Sequence, residues 1–165
     1  MADFLKNTSS KMPGKTVSAS RISIAQLMQP EHANSHGNVH GGWIMKLIDE
    51  AGALACMRHA QQRVVTVAVD HLTFREPILI GDLVTVTAEV SCVGRTSMES
   101  EVRVTAENPI AGVKTHTNTA YLVYVALDKR GKAVRVPPLI PETEVQRQRM
   151  EEGRQRQEHR LSRGK

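Results

Sequence analysis

Aromatic side chains supply only 3% of the 165 residues. So few Phe, Trp and Tyr leave no platform on which bases could stack, so nucleic acid is not an expected partner. The core has to be built from Val, Ile, Leu, Met and Ala. Cysteine is equally scarce: Cys56 and Cys92 show no CxxC spacing and no neighbouring His cluster, which argues against a disulfide framework or a zinc ribbon. Both read as inert, reduced thiols. No apolar run approaches the roughly 20 residues that span a bilayer, and the first 20 residues carry no secretory h-region. The expectation is a cytoplasmic protein with no membrane partner. A GxSxG elbow and internal repeats are also missing, which removes the usual serine hydrolase reading of Ser35.

What is present is an ordinary globular composition, 40% hydrophobic and 24% charged, long enough to bury one core. The net charge of +5 suits an anionic partner such as a phosphorylated ligand, though charge alone does not choose one. Residues 1–15 lack periodicity and read as a disordered lead-in. Residues 16–141 form the folded domain. Residues 142–165 carry seven Lys/Arg and five Asp/Glu with only Val145, Met150 and Leu161 as sizeable apolar residues. That tail reads as a charged helix outside the core, either solvated or a basic lid over phosphates.

The junction at residues 34–42, NSHGNVHGG, is the most informative stretch. Gly37, Gly41 and Gly42 let the backbone turn tightly and approach a ligand. The helix that follows offers unpaired N–H groups at the positive end of its dipole, where a carbonyl can be polarised. Residues 43–57, WIMKLIDEAGALACM, are apolar around most of a helical circumference and so predict a buried helix. One acid is out of place there: at about 100° per residue, Asp49 shares a face with Met45, Gly52, Ala53 and Cys56, where a carboxylate is poorly solvated. Glu50 turns instead toward Lys46, a pairing that explains its charge. His36 and His40 flank the loop, but two histidines without a third protein ligand make a poor metal site.

A first strand is expected within 16–28. After the helix, Val65, Val67 and Val69 alternate with Thr66, Ala68 and Asp70, and the same period recurs in Val84 to Cys92 and in Met98 to Val104. Turns at Glu76-Pro77, Gly81-Asp82, Gly94-Arg95 and Asn108-Pro109 separate these runs, and a long segment covers 113–127. The order is β-α-β-β-β-β. One apolar helix and five antiparallel strands have one economical packing, an α+β domain whose sheet curls around the helix.

The stretches ANSHGNVHGGWIMKLIDEAG (33–52), VTVAVDHLTFREPILIGDLV (65–84) and GRTSMESEVRV (94–104), with THTNTA (115–120) and VPPL (136–139), resemble the hotdog-fold acyl-CoA thioesterases, in particular their cytosolic acyl-CoA hydrolase branch. The resemblance implies a sheet wrapped around one long central helix, edge-to-edge dimers, and assembly into a trimer of dimers with sites between protomers. It implies hydrolysis of fatty acyl-CoA to free fatty acid and CoA, with no metal and no cofactor beyond the CoA of the substrate. The family's catalytic asparagine falls on Asn34 and its carboxylate on Asp49, as general base or nucleophile. The thioester carbonyl would rest on the N–H groups at Gly41 and Gly42. The CoA-binding stretch falls on Gly94, Arg95, Thr96 and Ser97, with Arg103 considered for the nucleotide phosphates.

Two rival readings follow from the same residues. A non-catalytic acyl-CoA binding protein would keep the glycine loop and basic groups without needing Asp49. A hydratase or dehydratase of the same fold would place a His beside the carboxylate, and here the candidates His36 and His40 sit in the loop.

Overall fold

Helix formation begins where His40 caps the glycine loop. The computed structural model describes residues 12–163, in the order β1 (Lys15–Thr16), α1 (Val17–Ser20), β2 (Ile22–Leu27), a 3-10 turn (Pro30–His32), α2 (Gly41–Ala60), β3 (Arg63–Leu72), β4 (Leu83–Val93), β5 (Ser97–Asn108), β6 (Val113–Leu127), β7 (Leu139–Ile140) and α3 (Glu144–Arg163). α2 runs three residues beyond the expected end and stops at Gln61, whose left-handed backbone (φ 53°) returns its N–H to the Met57 carbonyl. Ile44, Leu47, Ile48, Ala51, Ala55 and Cys56 are buried along it, the i, i+3, i+4 stripe that the sequence predicts.

The five long strands form one antiparallel sheet in the order β2-β4-β5-β6-β3. Val84, Val86 and Val90 of β4, Val102 and Val104 of β5, and Leu122 and Tyr124 of β6 close over the helix stripe to make the core. This is the predicted hotdog architecture, and β3, the strand after the helix, ends at one edge of the sheet. The first strand proves shorter than the window 16–28, because Val17 to Ser20 form a helical turn before it.

Part of the expected lead-in, residues 1–11, lies outside the described residues. Lys15 is ordered in a parallel pair with Leu139 and donates its N–H to the Pro138 carbonyl at 2.9 Å. The tail does form a helix, α3, but it docks against the face of the sheet opposite α2. Gly153 lies against Cys92, where a Cβ would come within 2.6 Å of the Cys92 Cβ. Arg156 grips the buried Glu99 with two hydrogen bonds, at 3.0 and 2.8 Å, and lies over the Tyr121 ring. Arg149 reaches both Glu89 (3.4 Å) and Glu101 (3.5 Å), and Arg160 pairs with Asp70. The tail's arginines neutralise carboxylates on the outward phase of β3, β4 and β5, so few apolar residues are needed to seat it.

Candidate functional site

Asn34 closes the glycine loop on itself. Its Oδ1 accepts from the N–H groups of His36 (2.9 Å) and Asn38 (3.2 Å), and its own N–H donates to the Asn38 carbonyl at 2.7 Å. Gly37 turns the chain with φ +82°, open to glycine at no steric cost. Two backbone donors converging on one end of the amide identify that end as the oxygen. The NH2 end has no partner among the described residues and is left as a donor.

The helix start is capped by a side chain the sequence did not single out for that task. His40 Nδ1 accepts the Gly42 N–H at 2.9 Å, and the His40 carbonyl accepts the Trp43 N–H at 2.9 Å. His32, buried beneath the loop, stacks on Trp43 with ring centroids 4.2 Å apart, and its carbonyl accepts the His40 N–H at 2.8 Å. The two histidines thus hold the glycine loop against the start of the helix. Among the described residues no three His, Cys, Asp or Glu side chains gather as metal ligands. Gly42, expected to share the substrate carbonyl with Gly41, has its N–H committed to His40. The donor left unpaired at the helix start among the described residues is that of Gly41. Asn34 and Gly41 line one cavity of about 370 Å³ together with Ile44, Phe74 and Ile78.

Asp49 sits two turns up α2 and is half-buried. Its Oδ1 accepts the Thr66 hydroxyl at 2.7 Å and the Tyr124 phenol at 3.3 Å, while the same phenol reaches the Asp49 carbonyl at 3.0 Å. Thr66 on β3 and Tyr124 on β6 are cross-strand partners, so the sheet register itself delivers both hydroxyls to one carboxylate oxygen. Burial, and then the Asp49 charge, push the Tyr124 pKa well above the ordinary phenol value, which keeps it a neutral donor. Gly52, one turn beyond Asp49, is the space the Tyr124 ring fills: a Cβ there would lie 3.0 Å from the phenol Cζ.

Sequence reasoning missed Thr66 and Tyr124. The signals were present as a hydroxyl inside a valine run and one of only two tyrosines in the chain. The expected apolar surroundings of Asp49 are only partly realised. Gly52 and Cys56 are buried, but Met45 is 47% exposed, so in the single chain the acid opens onto the surface beside β3. The edge strand next to it carries exposed apolar side chains: Val65, Val67 and Val69 are 44%, 55% and 51% exposed, and on α2 Leu54 and Met57 are 44% and 38% exposed.

Within one chain Asn34 and Asp49 are not together. Eight helical steps separate Gly41 from Asp49, a rise of roughly 12 Å, and Asp49 is not in the lining of the Asn34 cavity. Gly94 to Ser97 form the tight turn between β4 and β5, with the Gly94 N–H on the Ser97 carbonyl at 2.8 Å. The carbonyls of Arg95 and Thr96 accept from Val136 and Ala126, which leaves the Arg95 side chain exposed and without an ion pair among the described residues. Arg103 is different: its guanidinium is held by Glu101 at 2.6 Å on the face that carries α3.

The family model described as the thioesterase superfamily matches residues 36–113. The cytosolic acyl coenzyme A thioester hydrolase of Rattus norvegicus is 37% identical over 143 residues, covering 86% of this chain and 38% of that protein. The chain thus spans well under half the length of this curated relative. An acyl-CoA hydrolase from Staphylococcus aureus, solved with butyryl coenzyme A and coenzyme A, is 34% identical and superimposes with a TM-score of 0.84 over 92% of both chains. An apo hexameric acyl-CoA thioesterase is 35% identical, with a TM-score of 0.89 over 93% of this chain and 98% of that one. No helix among the described residues is long and apolar enough to cross a membrane. Fold, motif spacing and coverage agree, and the chain belongs to the hotdog-fold acyl-CoA thioester hydrolases.

Proposed function

We propose that the protein hydrolyses acyl-CoA to a free carboxylic acid and CoA, using Asp49 as general base. The observation that carries the reading is the pinning of one Asp49 oxygen by Thr66 and Tyr124, which orients the carboxylate and leaves Oδ2 free to take a proton. Water attacks the thioester carbon as its proton passes to Oδ2. The carbonyl becomes an oxyanion held by the Gly41 N–H and the Asn34 amide, both donors of one cavity. Collapse of the tetrahedral intermediate breaks the C–S bond, and the proton on Asp49 returns to the departing thiolate.

Because Asn34 and Asp49 stand apart in one chain, the working site combines Asn34 and Gly41 of one protomer with Asp49 and Thr66 of the partner. The exposed valines of β3 supply the apolar edge along which two copies would join. The choice of Asn34, Asp49 and Thr66, apart from which protomer supplies each, is supported by the Staphylococcus aureus hydrolase. Alanine variants of one asparagine, one aspartate and one threonine of that enzyme have been solved, and the three carry the same sequence spacing as Asn34, Asp49 and Thr66. A trimer of such dimers follows the hexameric relative. Gly94, Arg95, Thr96 and Ser97 are assigned to the CoA arm, with Arg95 as its phosphate contact. The test is thiol release across a panel from acetyl-CoA to stearoyl-CoA. Hydrolysis of at least one chain length is expected, and inactivity against all of them rejects the function.

A further inference from the structure

The ring of Phe74 lies over the first residue of α2. A Cβ built on Gly41 would meet it at 3.6 Å, ordinary van der Waals contact. An aromatic wall therefore stands beside the unpaired Gly41 N–H, and Ile44, Pro77 and Ile78 extend it along the same cavity. The backbone carrying the ring is tied down on both sides. The Thr73 carbonyl accepts from the amide of Asn118, which is fully buried. Beyond the ring, the Arg75 N–H donates to the Thr117 carbonyl at 3.4 Å, and the Val39 N–H of the glycine loop donates to the Ile78 carbonyl at 2.8 Å. Yet the Phe74 side chain is 46% exposed and takes no part in the core. A fixed backbone presenting an unburied aromatic ring to a cavity is the arrangement of a wall.

We infer that Phe74 determines which acyl groups the site accepts, by bounding the space next to the thioester carbon and excluding groups that branch or carry a ring close to the carbonyl. The inference rests on the thioesterase reading and deepens it. The wall is assigned to the acyl group because Phe74, Ile44, Pro77 and Ile78 form the apolar side of a cavity whose polar lining comes from Asn34, Asn38, Arg75 and Glu76. An amide of the pantetheine arm pressed against that apolar side would lose solvation, whereas an acyl chain would not.

The experiment compares wild type, Phe74→Ala and Phe74→Leu on butyryl-, isobutyryl- and phenylacetyl-CoA, with thermal unfolding of each protein alongside. Removing an apolar wall is expected to raise the kcat/KM ratio of phenylacetyl-CoA to butyryl-CoA about tenfold in Phe74→Ala, and by less in Phe74→Leu. Tm should not change. Equal effects on all three substrates, no effect on any, or a fall in Tm shared by both variants would overturn the inference while leaving thioesterase activity in place. Wild-type inactivity on these and on the full acyl panel would remove the thioesterase reading, and this inference with it.

Discussion

Thr66 on the edge strand donates its hydroxyl to Asp49 on the central helix at 2.7 Å, across 17 residues of sequence. A hydrogen bond to a charged acceptor contributes about 1.5–3 kcal/mol when its partner cannot be replaced. Thr66→Val keeps the shape and β-branching of the side chain but removes the donor. It is expected to lower kcat about 10- to 100-fold with little change in KM, because the orientation of the base matters most in the transition state. Asp49→Asn removes the proton acceptor itself and should cost on the order of a thousandfold. Steady-state kinetics of the two variants check the ranking; a Thr66→Val enzyme with wild-type kcat would contradict it.

Arg95 and Arg103 separate by their surroundings. Arg95 is exposed and unpaired among the described residues, whereas Arg103 is held by Glu101. A phosphate contact far from the thioester binds ground and transition states about equally, so Arg95→Ala should raise KM and leave kcat nearly unchanged. Arg103→Ala should shift KM less. The prediction fails if kcat collapses in Arg95→Ala at constant KM.

Neither cysteine should interfere with a thiol-release assay. Cys56 is fully buried, and burial raises its pKa far above the thiol range. Burial and the nearby Glu99 push the Cys92 thiol up to about 11, so at pH 8 only about one molecule in a thousand carries the thiolate. The folded protein is expected to react with a chromogenic disulfide reagent over hours, and the unfolded protein within seconds to minutes, giving two thiols per chain. Rapid labelling of the native protein would refute the burial of both.

His59 makes the fold sensitive to acid. Its Nε2 lies 2.9 Å from the Pro137 carbonyl and must donate to it, so Nδ1 is the bare nitrogen, buried with no partner. Burial lowers its pKa below the ordinary 6.5. The unfolded chain therefore binds a proton more readily than the folded one. The stabilising contribution is complete above about pH 6.5 and is lost as pH falls from there toward the lower folded value. Thermal unfolding of wild type should show Tm dropping from pH 7 to pH 5, and His59→Gln should show a shallower drop. Parallel curves would clear His59 of the effect.

Helical and strand periods carried most of the fold into view. Asp49 was identifiable because a charge inside an apolar helix breaks the pattern, and β3, β4 and β5 because their apolar residues, mostly valines, recur with period two. Thr66 was not identifiable as its partner, since that contact depends on the packing of α2 against β3 and on the Thr66–Tyr124 pairing rather than on any local pattern. The choice between Gly41 and Gly42 turned on the His40 side chain reaching back as a cap. The docking of α3 was hidden for a related reason. Glu89, Glu99 and Glu101 occupy the phase that normally faces water, and only the arrival of Arg149 and Arg156 makes their burial affordable.

A catalytic site shared between two chains is tested most directly by mixing two dead variants. Asn34→Ala and Asp49→Ala chains are unfolded, combined in equal amounts and refolded, and acyl-CoA hydrolysis is measured on the mixture. About half the dimers are then mixed, each with one intact site and one doubly damaged site, so activity should recover to roughly a quarter of wild type. If oligomers shown to be mixed and folded stay as inactive as their parents, Asn34 works beside Asp49 of its own chain and the shared site is wrong.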